Sequence, residues 1–328
     1  RCTAWGGRSL IIAAFAILRF LIGYDIISLF NDRKGADSPM KTPVKRPHTP
    51  SRLGLLMASL RPQRWLYPIY AARQLRLERH EISSAHVPRS LSGLKLAYAS
   101  DIHYGALLDA ERVNDLAERL NALEADIILL GGDYGEDAAH SLEFWRIVPP
   151  LHARLAVCAV IGNHDRADGD IDALCAAMQA KNVTPLVNSA LTLRSGEDTI
   201  ALCATDDCYW GEPDYQDVAA QVRGADYVIY APHAPDALED AYNVQRDPFF
   251  DLALCGHTHG GQVTLLGFAP YTASRRGLRY GNHYRSGEIE EHGVTVLVSN
   301  GVGTTWLPLR LGARAQYHLI TLSRARAQ

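Results

Sequence analysis

From residue 94 onward the chain repeats one pattern, an apolar run of five to seven residues followed in several cases by a segment of helical period. LKLAYAS (94–100) precedes LDAERVNDLAERLNAL (108–123), DIILL (126–130) precedes SLEFWRIV (141–148), and LAVCAVI (155–161) precedes DIDALCAAMQAK (170–181). Further runs stand at TIALCA (199–204), DYVIYA (226–231), DLALC (251–255), VTVLVS (294–299) and YHLITL (317–322). Short apolar runs between turn residues read as buried strands, and strand–helix alternation predicts an α/β fold with helices on the sheet faces. Segment 108–123 carries Val113, Leu116, Leu120 and Leu123 on one side, the spacing of a half-buried helix.

The ends of these runs carry the chemistry. LKLAYAS runs into Asp101-Ile102-His103, DIILLGG into Asp133, LAVCAVIG into Asn163-His164-Asp165, DYVIYAP into His233, and DLALCG into His257-Thr258-His259. In open α/β sheets, sites assemble at the C-terminal edge of the strands. The spacing agrees: 28 residues separate His103 from Gly132, and 28 separate Asp133 from Gly162, room for a helical return to a parallel strand. One such Asp alone reads as a helix cap, and one such His as a satisfied core residue. Seven ligand-type side chains at five strand ends have no comparable structural explanation. Imidazole, carboxylate and amide oxygen make a mixed N/O set suited to Mn, Fe or Zn. They exceed the needs of one tetrahedral ion, so two metals are the economical expectation. In GHTHGGQ (256–262) a turn brings both imidazoles near one point, and glycines permit close approach.

Charge is divided unevenly. Residues 1–90 hold 15 Lys/Arg against 5 Asp/Glu, a net +10, and the remainder is −13. An acidic main body argues against nucleic acid as its partner. Six cysteines form no C-x-x-C pair, and Cys158 and Cys255 read as buried small hydrophobes. Residues 1–74 are expected to form an apolar and basic membrane-associating segment with a linker, and 75–328 a catalytic domain. Run 9–30 has about the length of a membrane span but is interrupted by Arg19 and Asp25. Residues 52–72 mix aromatic, aliphatic and Arg side chains, a composition for a membrane surface or for packing on the main domain. Basic residues after the run, from Arg33 to Arg64, predict a cytoplasmic catalytic domain.

The ordered set D-I-H, G-D, G-N-H-D, a lone His and G-H-T-H resembles the calcineurin-like metallophosphoesterases over roughly residues 94–323. DIHYG, GGDY, GHTHGGQV and SNGVGTTWLPLRLG (299–312) are similar to a membrane-associated bacterial phosphodiesterase branch, which includes enzymes resembling UDP-2,3-diacylglucosamine diphosphatase. ARAQY (313–317) departs from that branch, where Pro-Glu is expected. The resemblance implies a β-sandwich flanked by helices, with a dinuclear metal site at the strand ends. It implies that Asp101, His103 and His259 bind one ion, that Asn163, His233 and His257 bind the other, and that Asp133 bridges them. Mn is the favoured metal. His164 is implied to be no ligand but to face the substrate phosphoryl group as the catalytic residue.

The expected reaction is hydrolysis of a phosphodiester or diphosphate, with a lipid-linked ester such as a UDP-diacylglucosamine as candidate substrate. The alternatives are a membrane-attached non-catalytic binding protein on the same fold and a phosphomonoesterase or protein phosphatase. Four further points stay open in the sequence. Asp165 either orients His164 or caps the helix at 170–181. Arg310 either contacts phosphate or pairs with an acid. Asp206, Asp207 and Trp210 would shape a pocket. Tyr271, Arg275, Arg276, Arg279 and Tyr280 line either an entrance or a solvated loop.

Overall fold

A computed structural model of the chain describes residues 75–264, 269, 279, 282–305 and 310–325. The run at 9–30, the segment at 52–72 and the side chains Tyr271, Arg275, Arg276 and Tyr280 lie outside the described residues. In chain order the first half contains β1 (Arg76–Ser84), β2 (Lys95–Ala99), α1 (Ala110–Asn121), β3 (Ile127–Leu130), α2 (Ala138–Ile147), β4 (Ala156–Val160), a single turn α3 (Asn163–Arg166) and α4 (Ile171–Gln179). There follow β5 (Thr184–Leu186), β6 (Ser189–Ser195), β7 (Asp198–Ala204), α5 (Tyr215–Gln221), β8 (Tyr227–Tyr230), α6 (Ala237–Tyr242), β9 (Leu252–Cys255), β10 (Gly287–Glu291), β11 (Val294–Val298) and β12 (Gln316–Arg324).

The strands form two six-stranded sheets, ordered β1-β12-β2-β3-β4-β5 and β10-β11-β9-β8-β7-β6. Strands β2 to β5 run parallel, as do β7, β8, β9 and β11. Parallel strands need both faces covered, which explains their near-continuous apolar sequences. Leu96, Tyr98, Ile127, Leu129 and Val160 of one sheet meet Leu202, Ile229, Leu252, Leu254 and Leu297 of the other in the inner core. On the outer face of the first sheet, Ala97, Ala99, Ile128 and Leu130 pack under Val113, Leu116 and Leu120 of α1 and under Phe144, Trp145, Leu174 and Met178. On the second, Ala201, Val228 and Ala253 lie beneath Val218 of α5 and Leu238 and Ala241 of α6. The result is a β-sandwich flanked by helices, the expected α/β architecture.

Helices α1, α2, α4 and α5 each start on an aspartate, Asp109, Asp137, Asp170 and Asp214, whose side chain accepts the amide three residues on. Asp170, not Asp165, therefore caps α4. One polar chain crosses from the edge of the sandwich into its interior. Glu288 on β10 bonds His80 on β1, His80 Nε2 lies 3.0 Å from His318 Nδ1, and His318 Nε2 lies 2.8 Å from Ser299 Oγ. Burial, with His80 beside it, lowers the His318 ring to about 3, so burial keeps this imidazole neutral.

Candidate metal centre

The parallel strands deliver their chemistry at one end. Asp101 and His103 follow β2, Asp133 follows β3, Asn163 follows β4, His233 follows β8 and His257 and His259 follow β9. All seven side chains are buried, and they come together from both sheets. Side-chain ligand atoms of Asp101, His103 and His259 lie within 4.8 Å of one another, and so do those of Asp133, His233 and His257.

Asp133 stands between the two groups. Its Oδ2 is 3.6 Å from His103 Nε2 and 3.3 Å from His233 Nε2, while Oδ1 accepts the His164 amide at 2.8 Å. On one side, His103 Nε2 lies 3.1 Å from His259 Nε2, which is 3.6 Å from Asp101 Oδ1. On the other, His257 Nδ1 lies 2.6 Å from Asn163 Oδ1. His233 Nδ1 donates to the Gly131 carbonyl at 2.7 Å, which leaves Nε2 to face Asp133. That buried Nε2 makes no hydrogen bond of ordinary geometry among the described residues and faces the Asp133 carboxylate at 3.3 Å. A buried imidazole nitrogen and a carboxylate converging on one point fit a cation site.

The backbone at the site is unusual. Asp101, His103, Asp133, His257 and His259 all adopt left-handed conformations, with φ between 50° and 68°. Such conformations cost on the order of 1–3 kcal/mol for a residue other than glycine, and they cluster at functional sites. The glycines before two of the ligands answer a separate need. A Cβ on Gly162 would meet Asp133 Oδ1 at 2.2 Å, and one on Gly256 would meet Asp101 Oδ2 at 2.3 Å. Carboxylates occupy the volume that any larger residue would take.

Charge is tightly balanced. Burial would raise Asp133, yet His233, His164 and His103 hold it well below the usual carboxylate range. Burial also opposes charge on His233, but Asp133 and Asp101 raise it to about 10. In the metal-free protein a proton therefore sits on His233, and an ion binding at Nε2 must displace it. Burial pushes His103 and His259 well below the ordinary imidazole range, with His164 and His103 respectively adding to the effect. Asp101 is lifted to about 6 by burial although His233 pulls the other way.

Several roles were not visible in the sequence. Asp165 does not cap α4. It accepts from Asp133 N, Tyr134 N, Gly162 N and Ser141 Oγ, at 2.6–3.0 Å, and so ties the β3 and β4 loops together. The partner that orients His164 is a backbone carbonyl, Glu136 O, 2.8 Å from Nδ1. Tyr209 stacks on His257 with centroids 5.0 Å apart and bonds Asp236 through its hydroxyl. Asp207 holds the backbone of Tyr209 and Trp210, and Asp206 pairs with Arg166, so both aspartates shape the loop beside the site without joining either ligand group. Arg279 pairs with Asp240. Arg310 is buried beside His259: its Nη1 donates to the His259 carbonyl at 3.2 Å, and Nη2 lies 3.1 Å from the ring Nδ1.

A family model described as calcineurin-like phosphoesterase matches residues 94–261, half of the chain and all seven clustered side chains. The chain belongs to that family. It is a metal-dependent phosphoester hydrolase. The uncharacterised metallophosphoesterase YkuE of Bacillus subtilis is 28% identical over 247 residues, covering 74% of this chain and 84% of that protein. The phosphodiesterase YaeI of Escherichia coli is 29% identical over 236 residues, covering 70% of this phosphoesterase and 82% of YaeI. A transmembrane protein with metallophosphoesterase domain from Bos taurus is 29% identical over 262 residues, covering 75% of this chain and 56% of the bovine protein. Among solved structures, the NAD nucleotidase of Haemophilus influenzae aligns with a TM-score of 0.41 at 13% identity, over 64% of this chain and 50% of that one. Among the described residues of this phosphoesterase, no helix is long and apolar enough to cross a membrane.

Proposed function

We propose that this phosphoesterase hydrolyses a phosphodiester or diphosphate bond with two divalent ions, manganese favoured. Asp101, His103 and His259 would hold one, Asn163, His233 and His257 the other, and Asp133 would bridge them. The observation that carries this reading is the position of Asp133 Oδ2, within 3.6 Å of imidazoles from both groups. Bound there, such ions activate water and draw negative charge from a phosphoryl group. The chain supplies the rest. Asp133 fixes the His164 backbone, and Glu136 fixes its ring through Nδ1. That assigns substrate contact to Nε2, which carries a proton only when the ring is imidazolium. His164 then donates to a phosphoryl oxygen or protonates the departing oxygen. With manganese supplied, the purified protein is expected to turn over bis-p-nitrophenyl phosphate faster than p-nitrophenyl phosphate, and a chelator should stop both. A preference for the monoester would overturn the diester reading.

The same reading places the enzyme at the cytoplasmic face of a membrane, on a lipid-bearing phosphate ester. Support comes from the apolar run at 9–30, the basic residues from Arg33 to Arg64, and the name of the bovine relative. Basic residues near an anionic surface contribute about 1 kcal/mol each, enough together for peripheral attachment. Full-length protein should sediment with membranes at low salt, whereas a chain lacking residues 1–74 should not. Full-length protein that stays in the soluble fraction would remove this part of the proposal.

A further inference from the structure

Residues His259, Gly260, Gly261 and Gln262 follow one another with φ of 50°, 60°, 81° and 49°. The turn closes on itself through Gly260 N to Thr258 Oγ1, Gly261 N to Thr258 O and Gln262 N to His259 O. Arg310 adds further bonds at the ligand end of the run. It is 1% exposed, and Nη1 donates to the His259 carbonyl at 3.2 Å while Nη2 meets the His259 ring at 3.1 Å. Backbone and side chain of one residue are thus fixed by one guanidinium.

The same guanidinium reaches a second loop. Nε and Nη2 donate to Gly303 O at 2.8 and 2.5 Å, and Nη2 donates to Asn300 O at 2.7 Å. That loop backs Asp101: Gly303 N donates to Asp101 O at 2.7 Å, and a Cβ on Gly301 would lie 2.5 Å from Asp101 Cβ. Arg310 therefore clamps together the segments that carry Asp101 and His259, two members of one ligand group.

We propose that Arg310 is a positioning residue for the metal position formed by Asp101, His103 and His259. This rests on the two-ion reading above. A planar fork of five N–H groups serves both loops at once, whereas the three donors of lysine radiate from a single point and cannot span them. Partners that orient a metal ligand typically contribute 10–100-fold in metal affinity.

The test is manganese titration of the full chain, with free Mn²⁺ as the probe, on wild type, Arg310→Lys and Arg310→Gln, alongside metal-free thermal unfolding. The expected result is one ion bound as in wild type and the other weakened by about 10–100-fold. Arg310→Gln, which keeps neutral donors, serves if the lysine variant unfolds. Equal weakening of both ions, or unchanged affinities, would overturn the assignment. A wild-type chain that takes up fewer than two ions would instead overturn the two-ion reading, and this inference with it.

Discussion

Asp133→Asn is expected to leave the protein unable to hold either ion at ordinary metal concentrations and to abolish measurable turnover. The substitution preserves shape, so the effect isolates charge and lone pairs. One carboxylate oxygen becomes an amide nitrogen, and the group must turn either a donor or a neutral acceptor toward His103 and His233, which now sit 3.6 and 3.3 Å from Oδ2. A bridging ligand serves both positions, so its loss removes several kcal/mol of transition-state stabilisation, about 10³-fold or more in rate. Metal content after dialysis is the decisive measurement. Retention of one ion at wild-type affinity would show that Asp133 serves a single position. The neighbours provide an internal control. Burial, and next to it the charge on Asp133, hold Asp165 up at about 6, so Asp133→Asn should lower the pKa of Asp165 as followed by carboxyl NMR. For Asp165, a raised folded pKa means the folded state binds its proton more tightly than the unfolded chain. Its ionisation therefore costs stability as pH rises through that range, and the variant should lose the part of that cost that Asp133 contributes.

His164→Ala should behave in the opposite way, keeping both ions while lowering kcat by about 10²–10⁴-fold. Alanine retains the backbone amide that donates to Asp133 Oδ1, so the metal centre keeps that support. What disappears is the ring held by the Glu136 carbonyl. The loss should deepen with alkyl esters, whose leaving oxygens need a proton more than p-nitrophenolate does. Metal loss equal to that of Asp133→Asn would make His164 a ligand. A uniform loss across leaving groups would make it a stabiliser of charge rather than a proton donor.

The fold was legible where burial on both faces forces continuous apolar runs. Strands β2, β3, β4, β7, β8, β9, β11 and β12 all coincide with such runs, and α1, α2 and α4 with helical periods. Strands β1, RLERHEISS, and β10, GEIEE, were invisible because they are sheet edges with one wet side and charged residues on it. Helices α5 and α6, of seven and six residues, are too short for periodicity to register. The clustered side chains were legible because each follows an apolar run directly. Their supports were not. Gly131 and Glu136 act through carbonyls, which every residue has, and Arg310 acts across 51 positions of sequence. Asp165 could be left only between orienting His164 and capping the helix at 170–181, because an aspartate ahead of a helix ordinarily caps it; here Asp170 is the cap, and Asp165 braces two loops.

The left-handed backbone at Asp101, His103, Asp133, His257 and His259 narrows how this centre could drift during evolution. Aspartate, asparagine and histidine are the residues other than glycine that tolerate this conformation best, whereas β-branched and bulky side chains are outliers there. They are also the residues that offer oxygen or imidazole nitrogen to a first-row metal. Two independent filters, one steric and one chemical, pass nearly the same short alphabet. A mutational step to valine or isoleucine fails both at once. A step to glycine satisfies the chain and forfeits the ion. Inheritance at these positions is therefore guarded by the polypeptide's own geometry as well as by the chemistry it serves.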